Sequence, residues 1–246
     1  RWMLCTATLL LFVLFLPARA LAQPTSYNTA VPSAHIGMVH SVVINDTDQQ
    51  KWFRFFARVA GRSYCAEAGA DTDTSSKTNA KDNDPAVAIF ASDGTTEITS
   101  NNDTTNEPDA FWGARACFRA SAPGSFFVRV TSSNAGPHAF RMRLVETTLW
   151  ASWFFIGGDY NSFVLLRNTT NSSVHYTITW RNPAGVQIGQ TSGTVAGNAA
   201  LGINANGTVE IAHDGSPQAL VGQVTSLSAT SGLGYDSTLF QRQTVW

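Results

Sequence analysis

Apolar side chains recur at every second position along several short segments of this chain. Phe53, Phe55, Ala57 and Val59 alternate with polar or outward-facing aromatic residues, which is the period of a β-strand with one buried face. The same alternation recurs at Phe126-Val128-Val130, Phe140-Met142-Leu144 and Val174-Tyr176-Ile178-Trp180. Beyond the N-terminal segment, no stretch shows a helical period. The pattern therefore predicts an all-β protein.

Turns containing glycine and proline separate these segments at short intervals. They lie at Gly61, Asp93-Gly94, Pro123-Gly124, Gly136-Pro137 and Asn182-Pro183-Ala184-Gly185. Further strands are predicted near residues 200–203, 208–212, 219–227 and 237–242. Short strands at this spacing are typical of β-sandwiches and barrels.

The density of charged residues falls near Thr147-Thr148. Residues 23–148 hold 11 basic and 13 acidic side chains, whereas residues 149–246 hold 3 basic and 4 acidic ones. We expect this change to mark a domain boundary. The predicted fold is two tandem β-sandwiches of the jelly-roll or Ig-like type, with a leader over residues 23–34, one sandwich over 35–147 and an Ig-like sandwich over 148–246.

The first 22 residues have the features of a cleaved signal peptide. Residues 9–16 are an unbroken apolar run, Pro17 ends it, and Ala20-Leu21-Ala22 is an A-x-A cleavage signal. The run is shorter than the roughly 20 residues that a transmembrane helix needs. We therefore expect a secreted or cell-surface protein with no membrane span in the mature chain.

Composition narrows the class of partner. Charged residues make up 13% of the chain, and its formal net charge is −1. Polarity comes instead from Asn, Thr, Ser and Gly, which suits extracellular β-rich proteins. Without a basic excess, the chain is not expected to bind nucleic acid.

Two cysteines, Cys65 and Cys117, remain after the predicted signal peptide. An even number of cysteines in an exported chain predicts a disulfide. The alternation places each thiol on the polar face of its strand, so the two can meet only if their strands are neighbours. The alternative is a pair of free thiols.

A series of motifs runs through the first half in a fixed order. It comprises Trp52-Phe53-Arg54-Phe55, Ala60-Gly61-Arg62-Ser63-Tyr64, Ala86-Val87-Ala88-Ile89-Phe90 with Asp93-Gly94, Asn101-Asn102-Asp103, Pro123-Gly124-Ser125-Phe126-Phe127-Val128-Arg129-Val130 and Phe140-Arg141-Met142-Arg143-Leu144. With these motifs, residues 35–146 resemble the bacterial pre-peptidase C-terminal (PPC) domain. The resemblance implies a small exported β-sandwich, of a kind often appended to secreted peptidases. It also implies relatives among carbohydrate- and collagen-binding modules, some of which use calcium.

An acidic block lies between Asp71 and Asp109, where nine acids accompany two lysines. Calcium takes about six to eight oxygen ligands, which closely spaced carboxylates on a loop can supply. The candidate calcium ligands are Asp71, Asp73, Asp82, Asp84 and Asp103. The alternative is a solvated loop that keeps an exposed sheet edge soluble.

Two groups of aromatic residues are candidate ligand-binding surfaces. Trp52 and Phe56 share the arginine-bearing face of one predicted strand, and Trp150 and Trp153 lie in a dense aromatic run at the predicted boundary. Exposed rings can stack on sugars or contact a partner protein. The alternative is burial, in which case the run over residues 150–155 would lock the two sandwiches together.

Residue types used in catalysis occur without a recognisable motif. The five histidines (His35, His40, His138, His175 and His213) lack zinc spacing and are expected at the surface. No G-x-S-x-G elbow or phosphate-binding loop is present. His213-Asp214-Gly215-Ser216 contains the residue types of a catalytic triad, but its Gly and the following Pro217 favour a turn.

The sequence therefore predicts a protein that is not an enzyme and that binds extracellular polysaccharide or protein, with calcium as its candidate cofactor. The alternative is an accessory or structural subunit that docks on a separate secreted hydrolase. A third hypothesis is a hydrolase whose site the motifs do not reveal.

Overall fold

The computed structural model describes residues 33–44, 50–70, 85–102, 113–132, 138–151, 158–205 and 207–241. These residues form 17 β-strands and no helix, which confirms the all-β prediction. No described segment is a helix long and apolar enough to cross a membrane. The predicted signal peptide (residues 1–22) and most of the predicted leader lie outside the described residues.

The strands up to residue 146 form two four-stranded antiparallel sheets. In order of pairing, one sheet contains β1 (Val39–Ile44), β8 (His138–Glu146), β3 (Ser63–Ala70) and β6 (Ala114–Arg119). The other contains β2 (Lys51–Ala57), β7 (Gly124–Ser132), β4 (Pro85–Phe90) and β5 (Glu97–Asn101). The order β1-β8-β3-β6 shows that neighbours in the sheet are mostly distant in sequence, as is usual for sandwiches.

The predicted alternation decides which side chains form the first core. Phe53 and Phe55 of β2 are buried, as are Met142 and Leu144 of β8, whereas Arg54 between the two phenylalanines is exposed. Burial of large apolar side chains such as these stabilises a fold by about 1.5–3 kcal/mol each. The core thus lies between the two sheets, where the periodicity places it.

The strands from residue 149 onward form a second pair of antiparallel sheets. A four-stranded sheet contains, in order of pairing, β13 (Ala200–Asn204), β10 (Tyr160–Asn168), β15 (Leu220–Ser228) and β16 (Gly234–Thr238). A five-stranded sheet contains β12 (Gln187–Val195), β11 (Val174–Arg181), β14 (Thr208–His213), β9 (Leu149–Ala151) and β17 (Phe240–Gln241). The two sheets enclose a separate core, so the prediction of two tandem β-sandwiches is confirmed.

The second half also shows where the alternation was misread. The predicted strand over 237–242 is two strands, because the chain crosses from one sheet to the other at the buried Leu239. The Leu239 amide donates to the Gly222 carbonyl at 2.9 Å and fixes the crossing. The turn predicted at residues 182–185 is present, with Gly185 at φ 79°.

The predicted disulfide joins Cys65 of β3 to Cys117 of β6. The two residues are directly opposite each other in this antiparallel pair, and their Cα atoms are 4.1 Å apart. The prediction that their strands are neighbours is therefore confirmed. Cys65 is fully buried, and its sulfur lies 3.7 Å from the carbonyl oxygen of Gly215 in the second half.

The two halves meet around Ser63 at the start of β3. The Ser63 amide donates to Thr148 Oγ1 at 3.0 Å, and the Thr147 amide donates to the Ser63 carbonyl at 2.9 Å. The Ser63 hydroxyl in turn accepts from the His213 amide at 2.8 Å. Because Thr147 and Thr148 connect β8 to β9, this serine fixes the connecting residues and the end of β14 at the same point.

Candidate functional site

A groove of about 520 Å³ lies beside β2, which is an edge strand of its sheet. Residues 33–36 cross from this edge to β8 of the other sheet, because Ser33 forms a parallel bridge with Arg54 and Ile36 forms one with Leu144. We call this cavity the arginine groove. It is lined by Ser33, Ala34, His35, Ile36, Arg54, Phe55, Phe56, Arg58, Arg62, Tyr64, Ser125 and Glu146.

The period of β2 sets the chemistry of the groove. Phe55 and Ala57 point into the sandwich, so Arg54 and Phe56 point outward, and Arg58 follows one residue after the strand ends. Both arginines are exposed, and the ring of Phe56 is 56% exposed. An aromatic ring thus stands between two cationic side chains on one short segment.

The groove carries more positive than negative charge. Neither Arg54 nor Arg58 forms an ion pair with a described residue. Arg62 is different, because its guanidinium lies 3.4 Å from Glu146 and 3.4 Å from Glu210. Within the part of the chain that the structure describes, the groove's positive charge without an ion-pair partner therefore belongs to Arg54 and Arg58.

The inner side of the groove is apolar and rigid. Tyr64 and Phe55 are buried, and their ring centroids are 5.7 Å apart. Phe55 also stacks on Phe126 at 5.6 Å. Since these rings belong to the core, the groove is a preformed surface of the kind that favours ligand binding.

Arg62 links the groove to the second half of the chain. Its guanidinium carbon lies 4.7 Å from the ring centroid of Trp150, the geometry of a cation–π contact. Trp150 is half-buried, and its indole nitrogen is buried without a hydrogen-bond partner among the described residues. The predicted ligand-binding residue Trp150 therefore packs where the two sandwiches meet, and Trp153 lies outside the described residues.

The predicted exposure of Trp52 is wrong. Its side chain is 7% exposed and packs against Phe90, with ring centroids 4.9 Å apart. Phe127 and Ala88 complete this small cluster on the outer face of the sheet, and Arg129 lies over the rings of Trp52 and Phe90. Of the two aromatic residues predicted for this face, Phe56 is the one with a ring open to solvent.

A second cavity, of about 530 Å³, contains residues of both halves. Arg119 comes from the first half, and Gln187, Gln190 and Arg181 come from the second. Arg181 is paired with Glu210, at 3.3 Å. This cavity is polar, and Glu210 is shared between Arg181 and the Arg62 of the first groove.

His213 is buried, which contradicts the prediction of a surface histidine. It is 1% exposed, and neither ring nitrogen reaches hydrogen-bond geometry with a described residue, although the backbone oxygens of Thr147 and Gly215 lie near. Burial lowers its pKa to about 4, because the cation loses its hydration there, while Asp214 acts in the opposite direction. Residues 214–217 form the predicted turn, and Asp214 pairs with the exposed His175 at 2.8 Å.

The candidate calcium ligands Asp71, Asp73, Asp82, Asp84 and Asp103 all lie outside the described residues. The described residues themselves contain no cluster of metal-ligating side chains. Two acids of the block, Asp93 and Glu97, are described, and Asp93 stabilises a turn. Its carboxylate accepts from the side chain of Thr96 and from the amides of Thr96 and Thr95, which lowers its pKa to about 2.

Sequence reasoning missed a buried ionic network beside the disulfide. Glu67 is fully buried and accepts hydrogen bonds from Arg115, at 2.5 Å, and from Arg143. Glu67 is opposite Arg115 on β6 and opposite Arg143 on β8. The signal was present in the sequence, because Glu67 shares the face of Cys65 and Arg115 shares the face of Cys117.

Comparisons with known proteins do not identify a family. No protein-family profile and no curated protein sequence matches the chain. Solved structures with limited similarity include a β-glucuronidase of Bacteroides uniformis (9% identity, TM-score 0.24, covering 80% of this chain and 26% of that one). Others are a putative β-galactosidase of Bacteroides fragilis (6%, 0.22, 79% and 32%) and an exo-chitosanase of Amycolatopsis orientalis (13%, 0.21, 76% and 25%). The chain spans about a third or less of each, and at these TM-scores its function must be argued from its own residues.

Proposed function

We propose that this chain is a non-catalytic exported protein that binds extracellular polysaccharide or protein through the arginine groove. The supporting observation is the exposed ring of Phe56 between Arg54 and Arg58, whose guanidinium groups have no ion-pair partner among the described residues. Exposed guanidinium groups and an exposed ring can hydrogen-bond to a ligand and stack against it. The apolar floor beneath them holds this arrangement in place.

The charged side chains of the groove offer fixed contacts, although its lining residues also include the imidazole of His35. The guanidinium of an arginine stays protonated in proteins, so Arg54 and Arg58 cannot serve as general bases. The carboxylate of Glu146 is buried and faces Arg62 at 3.4 Å. These features favour binding over turnover.

Two observations, the disulfide and the pattern of the N-terminal residues, favour export of this protein. Disulfides persist in oxidising compartments and are rare in the cytosol, so the Cys65–Cys117 bridge favours a secreted or cell-surface location. The signal-like pattern of residues 1–22 favours the same location.

An apolar sheet face favours a second candidate function, that of an accessory subunit docked on a separate secreted hydrolase. On the outer face of the sheet β13-β10-β15-β16, the side chains of Leu165, Val221 and Leu227 are 41%, 40% and 46% exposed. The register places Leu165 opposite Gln223 and diagonal to Val221, and it places Phe163 opposite Thr225 and diagonal to Leu227. Exposed apolar side chains that are grouped on one face can mark protein contact sites.

Binding to a glycan array, together with affinity capture from culture medium, separates the two functions. We expect the exported chain to bind glycans, and we expect Phe56→Ala and Arg58→Ala to reduce that binding while Leu165→Ser preserves it. If no glycan binds and a co-purifying secreted protein is lost in Leu165→Ser alone, the accessory role replaces the first proposal.

A further inference from the structure

We propose that the ligand of the arginine groove is an acidic polysaccharide, whose carboxylate or sulfate groups bind Arg54 and Arg58 while one sugar ring stacks on Phe56. This inference rests on the proposed binding function and specifies its ligand class. Three properties of the groove support this proposal. They are the distance between its two arginines, the hydrogen bond that already occupies the edge of β2 at Arg54, and the origin of its positive charge in two residues of a chain whose net charge is negative.

The distance between Arg54 and Arg58 suits a polymer that carries anionic groups at regular intervals. Successive residues of an extended strand are about 3.3 Å apart, so the Cα atoms of Arg54 and Arg58 are at most about 13 Å apart, with Phe56 midway. A guanidinium binds a carboxylate or a sulfate through two parallel hydrogen bonds. Two arginines at this separation therefore fit two anionic groups on one polymer, separated by a neutral ring face that Phe56 can cover.

The backbone edge of β2 disfavours an acidic peptide as the ligand. An extended peptide binds an exposed sheet edge mainly through main-chain hydrogen bonds. At β2 the edge is already occupied at Arg54, because its carbonyl accepts from the Ala34 amide at 2.7 Å and Ser33 bridges to the same residue. The exposed side chains of Arg54, Phe56 and Arg58 form a surface that suits a polysaccharide better than a strand.

The positive charge of the groove is local. The chain has a formal net charge of −1, so no general basic excess attracts polyanions to it. Arg62 adds little net charge, because Glu146 and Glu210 both face its guanidinium at 3.4 Å. Recognition of an acidic ligand therefore depends on Arg54 and Arg58, and replacing either arginine should lower the affinity for that ligand.

Carboxylated and sulfated polysaccharides share the chemistry that the groove recognises, so both are probed. The exported chain is titrated by calorimetry with oligogalacturonate, with its methyl-esterified form and with a sulfated dextran oligosaccharide. Poly-L-glutamate tests whether negative charge alone is enough, and neutral dextran tests whether a sugar alone is enough.

The variants are chosen so that each test residue has a matched control. Arg54→Ala and Arg58→Ala remove the cations, and Arg167→Ala removes an exposed arginine on the other sandwich. Phe56→Ala removes the ring, and Phe240→Ala removes a ring that is 52% exposed elsewhere. Circular dichroism and thermal melting of every variant show that the fold is retained.

We expect one of the acidic oligosaccharides to bind and its uncharged counterpart to bind at least tenfold more weakly. Each of the three groove variants should weaken binding about tenfold or more, since a charge-assisted bidentate contact or a stacked ring is lost. Both control variants should bind as the unmodified chain does. Raising the salt concentration should weaken binding, because exposed charges are screened.

Each other outcome overturns the proposal in a distinct way. If neutral dextran or methyl-esterified oligogalacturonate binds as well as the acid form, and the arginine variants bind normally, the ligand is not an acidic polysaccharide. The proposed binding function is then still supported. If poly-L-glutamate binds as tightly as the acidic sugars and Phe56→Ala has no effect, the groove is a general anion site. If no probe binds, the acidic-polysaccharide proposal fails, and the glycan array alone decides whether the broader function stands.

Discussion

Acidification should destabilise this protein through His213 well before most carboxylates are protonated. The side chain lies where the two sandwiches meet, 1% exposed, and its ring nitrogens have no hydrogen-bond partner among the described residues. A buried imidazole in such a site is held neutral, which is why its pKa falls to about 4. The perturbation is a change of pH from 8 to 5, applied to the unmodified chain and to His213→Leu.

The size of the effect follows from proton linkage. An unfolded histidine has a pKa of about 6.5, so between pH 6.5 and the native value near 4 the unfolded chain binds a proton that the folded chain does not. The free energy of unfolding therefore rises with pH in this window and is independent of this histidine above it. The loss from pH 8 to pH 5 is about 2 kcal/mol, and it approaches about 3 kcal/mol below pH 4.

Urea unfolding followed by tryptophan fluorescence at several pH values between 5 and 8 measures the loss. In His213→Leu, the difference between pH 8 and pH 5 should shrink by about 2 kcal/mol. The matched control is His175→Leu, which removes an exposed histidine and should leave the His213 contribution in place. If the unmodified chain and His213→Leu show identical pH dependences, His213 does not cause the loss of stability at low pH. An imidazole of His213 that titrates near pH 6.5 by NMR would lead to the same conclusion.

Three further predictions concern other parts of the molecule. Glu67→Gln should cost about 3 kcal/mol of unfolding free energy because it removes the buried carboxylate that pairs with the buried Arg115. Glu97→Gln, in an exposed pair, should cost less than about 1 kcal/mol in the same urea titration. Replacing both disulfide cysteines with alanine should cost about 4 kcal/mol, since the bridge closes a loop between residues 52 apart, and the unmodified chain should show no free thiol when it is denatured without reductant. Calcium should release or absorb heat on binding and raise the melting temperature, and Asp71→Ala and Asp82→Ala should abolish both effects; a titration without heat or a melting shift would end the calcium hypothesis.

Periodicity was enough to predict the strands whose two faces differ in polarity. β2, β8 and β11 each alternate cleanly, and their inward residues are those of the two cores. β12 lacks such a signal, because its nine residues are mostly exposed and small, so no apolar period marks them. The disulfide was predictable for the same reason as the strands, since the alternation indicated the face on which each thiol lies.

Burial that arises between distant segments was not predictable from local pattern. Trp52 is on the outer face, as its period requires, yet Phe90 from β4 and Phe127 from β7 cover it. His213 occupies the end of a strand before a turn, a place that is usually exposed, and it is buried because that strand end lies against Ser63. In both cases the covering residues are far away in the sequence, so the pattern around each residue cannot indicate its exposure.

In the arginine groove too, the directions of the side chains follow from the local sequence, whereas the cavity depends on segments that are distant in the sequence. The outward positions of Arg54 and Phe56 follow from the period of β2, but the lining of the cavity also includes residues 33–36, which cross from β2 to β8, and Arg62. Arg62 is held by Glu146 of the first sandwich, by Glu210 of the second and by the ring of Trp150. All lining residues of the groove, which fall between residues 33 and 146, belong to the first sandwich, and Arg62 is the one that connects the groove to the contact between the sandwiches.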